Sequence, residues 1–248
     1  MLAGCLVLAA GAVVGASAPG SGRTVYGDSV TVVGYPGADR GLLRDLAARA
    51  DRAARTVTGL FGAFPRPLVI VPDTTAQGAA LAGTGSVDGM AALASGDRVI
   101  VLPGAFSRLT PTGRDVVLAH ELTHVATGDA RAPLWLREGM ADYVGYRNSG
   151  LDVLTAAAEL AAEVRAGRSP QELPGPGSFA PGGVRLAAVY QEAWLACRLI
   201  ARLHGERALV RLYREVGERG ISTALSTLGL SRQRLTLLWR EDVRRELA

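Results

Sequence analysis

Histidine is scarce in this chain of 248 residues: there are three, and two of them, His120 and His124, flank the tripeptide Glu121-Leu122-Thr123. In a helix that spacing puts both imidazoles on one face, one turn apart, where they can share one ion. Neutral imidazole is a good donor to zinc. Glu121 directly follows the first histidine. There a carboxylate stands beside the remaining position of the ion and can take a proton from water held on it. The neighbours Val116, Val117, Leu118, Ala119 and Leu122 are apolar, so the stretch is expected to be a buried helix. Burying two histidines and a glutamate calls for a partner that offsets their desolvation, and a metal ion is one. His-Glu-x-x-His strings also arise by chance, so the flanking residues matter.

A catalytic zinc site needs three protein ligands and one open position. Glu138 lies near the start of a second helical stretch, Leu134-Trp135-Leu136-Arg137-Glu138-Gly139-Met140-Ala141-Asp142-Tyr143, separated from the first by a short turn over Gly128 to Pro133. If that turn folds the second helix back, Glu138 supplies the third ligand. Asp142, one turn beyond on the same face, suits the second ring N–H of a ligating histidine. Asp142 or Asp129 as third ligand stays open, and a solvated face is the plain alternative for Glu138 and Asp142.

Together, His120-Glu121-Leu122-Thr123-His124 and Pro133 to Tyr143 resemble the gluzincin metallopeptidases, in particular the small bacterial peptidase-MA-like domains, with the aminopeptidase N-like and thermolysin-like enzymes more distant. The closest resemblance covers about residues 116 to 146, and a general likeness of layout runs from about residue 29 to the C-terminus. It implies a zincin-like fold, Zn2+ held by His120, His124 and Glu138, Glu121 as general base, and Asp142 orienting a histidine ligand. It also implies an oxyanion-stabilising hydroxyl for Tyr190, which heads the run Tyr190-Gln191-Glu192-Ala193-Trp194. A phenol near the ion can stabilise charge that develops only in the transition state. An amphipathic core tyrosine is the rival reading. His204, before Gly205, is a rival donor that reads better as the end of a helix. The implied activity is zinc-dependent hydrolysis of peptide bonds in a peptide or protein substrate; the alternative is a catalytically silent metal-binding or scaffold module. Gly89-Met90-Ala91 lacks the carboxylate of the Gly-x-Met-Glu-Asn element with which aminopeptidase N-like enzymes hold an amino terminus. The metzincin pattern fails, with Thr127 and Ala130 where it needs Gly and His.

The elements that must position these groups are legible in outline. Ser29 to Val33, Leu68 to Val71 and Arg98 to Leu102 read as strands from their β-branched content. Residues 39 to 60 have helical period between them. Residues 73 to 97 read as a loop with one edge strand near Met90 to Leu93. Thr110 or Thr112 caps a helix that Gly128 stops. Further helices are expected at about 134–146, 153–166, 185–204, 206–216 and 231–247, with a Pro/Gly loop at 168–183. Strands first and helices after predict an α+β fold: a small N-terminal β-sheet lobe with a helix, then a mostly helical lobe, with the active-site helix between them. The loops at 73–97 and 168–183 are expected to shape specificity.

Composition narrows the class. Hydrophobic residues make up 48% of the chain, which suits a globular domain rather than a disordered one. All 27 basic residues are Arg and the net charge is +4, with Arg and acids interspersed along helical stretches. That pattern reads as solvated helix faces, and without aromatic–basic interleaving nucleic-acid binding is not expected. Residues 1 to 18 carry no charge and are rich in Leu, Val, Ala and Gly, with small residues at Val14-Gly15-Ala16 and Ala16-Ser17-Ala18. Residues 1–22 are therefore expected to be a signal peptide or membrane anchor plus linker, and 23–248 the metallopeptidase domain of a protein exported to the extracytoplasmic side. Leu2-Ala3-Gly4-Cys5 resembles a lipobox, although the apolar run follows the cysteine. Cys197 reads as a buried, inert thiol.

Overall fold

The computed structural model describes residues 22–128 and 131–248. The chain forms two compact units, Met1–Asp129 and Ala130–Ala248.

The first unit is built on a mixed sheet. Strands β1 (Arg23–Tyr26), β2 (Thr31–Gly34), β3 (Leu68–Val71), β4 (Ala92–Ser95) and β5 (Arg98–Val101) lie in the order β1-β2-β3-β5-β4. The three central strands are parallel, and β1 and β4 close the edges antiparallel. Parallel neighbours need a crossover, and α1 (Arg40–Phe61) supplies it between β2 and β3. The central strands are continuous Val/Ile runs because both of their faces are covered. Val32, Val69, Ile70, Val99 and Ile100 are fully buried. Helix α1 turns Leu43, Leu46, Ala50, Ala53 and Val57 inward. Asp39 caps its start by accepting the Leu42 N–H, and Gly62 ends it at φ 84°. Two short helices, α2 (Thr75–Ala82) and α3 (Pro103–Phe106), precede α4 (Pro111–Thr127). Helix α4 packs against α1, β4 and β5. Arg49 on α1 pairs with Asp115 on α4 at 2.9 Å.

The second unit is helical: α5 (Leu134–Tyr146), α6 (Val153–Ala156), α7 (Ala158–Arg165), a 3-10 turn (Pro176–Phe179), α8 (Leu186–His204), α9 (Glu206–Arg219), α10 (Ile221–Ser226) and α11 (Arg232–Leu247). Helix α8 is its axis and touches α5, α7, α9 and α11. The fold class is thus α+β, with the sheet N-terminal and the helices after it.

Five elements depart from the sequence expectation. The segment 73–97 is not only loop, because a capping box between Thr74 and Gln77 starts α2. The helix expected over 153–166 breaks at Ala157 (φ −112°, ψ 36°), where the Leu160 N–H turns instead to the Gln191 side chain at 2.8 Å. Strand β1 and helices α3 and α10 are absent from that expectation. Among the described residues no helix is long and apolar enough to cross a membrane. The leader expected within residues 1–22, Cys5 and the alternative ligand Asp129 fall outside the described residues, apart from Gly22.

Candidate functional site

In the first unit the expected site residues His120, Glu121 and His124 lie on α4. Thr110 caps this helix by accepting the Gly113 N–H, Pro111 opens it, and Gly128 closes it at φ 60° with its N–H on the His124 carbonyl. The run Val116 to His124 is buried without interruption. His120 is 1% exposed, Glu121 0% and His124 6%. The two Nε2 atoms lie 3.1 Å apart. Two nitrogens at 2.0–2.1 Å on one tetrahedral zinc stand about 3.3 Å apart, so the two rings already converge as a shared ion needs. The threonine hydroxyls nearby are turned onto the helix: Thr123 donates to the Ala119 carbonyl and Thr127 to the Thr123 carbonyl.

Glu121 is fixed by the sheet. Its Oε2 accepts the backbone N–H of Ala94 on edge strand β4 at 2.7 Å. The register explains why that N–H is available. Leu102 N–H bonds the Ala91 carbonyl, so the pairs alternate from there and Ala94, opposite Val99, directs its N–H away from β5. This anchor was not foreseen from sequence. A backbone donor leaves no residue-type signal.

The second unit holds the other expected residues. Glu138 and Asp142 are one turn apart on α5, 1% and 9% exposed, so the solvated-face alternative does not describe them. Tyr190 lies one turn inside α8, 7% exposed, with the Phe179 ring edge-on at 5.4 Å. Helices α5 and α8 meet along their length. The start of α8 is held firmly. Arg185 bridges Glu163 at 2.6 Å and Glu192 at 2.7 Å, and Trp239 Nε1 donates to the Glu192 carbonyl at 3.2 Å. Burial pushes the Glu192 carboxyl up, against the pull of Arg185. Tyr143, beside Asp142 in sequence, is no rival acid at neutral pH. Burial, then the Glu206 charge, push its phenol up to about 12, and it donates to Glu206 at 3.1 Å. Burial pushes the Cys197 thiol well up, as an inert cysteine should be. His204 is exposed at the last turn of α8.

No family model and no curated protein matches the sequence. Solved structures do. A mutant M1 zinc metallopeptidase from Deinococcus radiodurans is 17% identical with a TM-score of 0.50, over 92% of this chain and 52% of that one. The M1 zinc metallopeptidase from Deinococcus radiodurans without that mutation is 18% identical with a TM-score of 0.48, over 91% and 51%. A mutant two-domain M1 zinc metallopeptidase bound to L-arginine gives 18% and 0.48, over 91% and 51%. The chain spans about half the length of these structures. The likeness to the first of these is one of fold.

Proposed function

We propose that this chain is an exported, zinc-dependent hydrolase of peptide bonds in a peptide or protein substrate, with Glu121 as its general base. The observation that carries the reading is the pair of buried Nε2 atoms 3.1 Å apart on α4 with Glu121 beside them. Glu138, buried on α5, is the carboxylate this reading assigns as the third ligand. Two imidazoles and one carboxylate are a donor set zinc accepts in catalytic sites, so the residues fit the ion. A bound zinc would supply Lewis acidity at the carbonyl and a more acidic water.

The chain's own groups do the rest. As water adds to the amide carbonyl carbon, Glu121 takes the proton that water loses. As the C–N bond breaks, Glu121 passes that proton to the leaving nitrogen. The Ala94 N–H engages Oε2 and fixes where the carboxylate stands for that traffic. Tyr190 donates its hydroxyl to the oxygen on which negative charge develops. Asp142 accepts the second ring N–H of a histidine ligand and fixes its tautomer.

Elemental analysis and a peptide-library assay on the same preparations test the reading. The wild-type chain should carry one equivalent of zinc, and His120→Ala and Glu138→Ala should carry less. Glu121→Gln should keep the zinc and lower hydrolysis by about 10²- to 10⁴-fold. Full activity in Glu121→Gln overturns the mechanism, and unchanged zinc in Glu138→Ala removes that residue from the ligands.

A further inference from the structure

The second unit contains a cavity of about 650 Å³ that the roles above leave unused. Its walls come from four places: Leu134 and Trp135 at the start of α5, Pro174 in the loop before the 3-10 turn, Leu225 on α10 and Leu235 on α11. Trp135, Leu225 and Leu235 are buried, so these walls are fixed by the core. The size falls within the range of small-molecule pockets, about 300–1,000 Å³.

Two features say what enters it. Leu134 and Trp135 stand four and three residues before Glu138 on one helix, which places them on its side of α5, one turn away. A group lodged in the cavity is therefore attached to something that passes Glu138. The charges are the second feature. The charged lining residues, Glu172 and Arg232, are both exposed, so they mark the mouth and not the interior. A charged side chain would lose its water there and find no buried counter-ion.

We propose that this cavity receives a large apolar side chain of the peptide substrate, aromatic or branched aliphatic, and sets the specificity of the hydrolase. This rests on the peptidase reading above. The loop 168–183, expected from sequence to shape specificity, does so through residues 171–176, which line the cavity.

Gly175 gives a clean way to fill it. It lines the cavity, its φ of −82° suits any residue, and a Cβ added there meets nothing within 4 Å. Leu237, also lining and half-exposed, gives a second site at which charge can be introduced. Peptides identical except for Phe, Leu, Ala or Asp at one position should show kcat/KM at least about tenfold higher for Phe and Leu than for Ala. Gly175→Phe and Leu237→Glu should each cut the Phe/Ala ratio at least about tenfold. A binding measurement separates this idea from catalysis. N-acetylphenylalaninamide should change the tryptophan fluorescence of the full chain saturably, through Trp135, and Gly175→Phe should abolish the change. Saturable binding with no peptide hydrolysed would sink the hydrolase reading and leave the pocket. Hydrolysis with the same Phe/Ala ratio in wild type and both variants would overturn the pocket and leave the hydrolase.

Discussion

Gly139→Ala is the most demanding test of how the second unit holds its chemistry. Gly139 follows Glu138 on α5 and faces α8. A Cβ there would stand 2.2 Å from the Ala193 carbonyl oxygen, 2.6 Å from its carbon and 2.9 Å from Cys197 Sγ. Ordinary contact requires the two helices to part by about 1 Å. The obstacle is backbone, so no rotamer change relieves it. Overpacking of this kind costs about 3 kcal/mol, the upper part of the usual range. Alanine recovers about 1 kcal/mol of helix propensity over glycine, which leaves a net loss of about 2 kcal/mol. For a chain of this size that is a fall in Tm of about 4–8 °C. Zinc affinity should fall about tenfold as Glu138 moves with α5, an effect of the size seen when a ligand's support is lost. Thermal melts and competitive zinc titration read both quantities. Adding Cys197→Ala removes the sulfur contact but not the carbonyl, so it should restore less than half of the lost Tm. An unchanged or raised Tm in Gly139→Ala would refute the close approach, because propensity alone would then decide the outcome.

Two further perturbations address the first unit and the surface. Ala94→Pro deletes the N–H that holds Glu121 while leaving the β4–β5 ladder intact, since that N–H points away from β5 and proline is tolerated at such edges. Hydrogen bonds to charged groups contribute about 1.5–3 kcal/mol, so kcat/KM should drop about 10- to 100-fold with zinc content unchanged; undiminished turnover would count against the anchor. Arg147 holds the Glu206 carboxyl below its usual range, first through their hydrogen bond at 2.6 Å. A lowered carboxylate stabilises the fold above its unfolded value, near 4.5, and that contribution is lost as pH falls through the lowered one. Glu206→Gln should therefore flatten the stability profile below about pH 4.5, by less than about 1 kcal/mol because the pair is partly exposed. Urea unfolding from pH 3 to 7 measures it, and an identical acid limb in the variant would count against the linkage.

What the sequence disclosed of these elements follows from how local their determinants are. Helix α4 was legible to its ends because Thr110, Pro111 and Gly128 each do a chemically specific job at a helix terminus. Helix α5 was legible because Pro133 starts it. Helix α2 is hard to read although Thr74 and Gln77 form a capping box, since it buries only Gly78 and Leu81 and shows no apolar stripe. The break at Ala157 was hidden for a different reason. The acceptor that diverts the Leu160 N–H is Gln191, on another helix. No local pattern can announce a partner that far away.

The same distinction separates the visible and invisible parts of the site. His120, Glu121, His124 and Glu138 stand out in the sequence as candidates because chemistry of the proposed kind restricts residue type. Ala94 contributes only an N–H, which every residue but proline has, so its role follows from strand register alone. The cavity beside Trp135 is set by the distances between α5, α10 and α11, which loop composition does not encode. What ties both parts to function is the burial of α4. Between two neutral imidazoles 3.1 Å apart, at most one Nε2–H can donate, and the other nitrogen must accept it. That arrangement satisfies the pair only when the two rings hold opposite tautomers. A metal ion would accept both lone pairs at once and leave each ring its Nδ1–H to donate elsewhere. On the proposed reading burial favours a bound ion, and chelation should loosen α4 before it loosens the sheet.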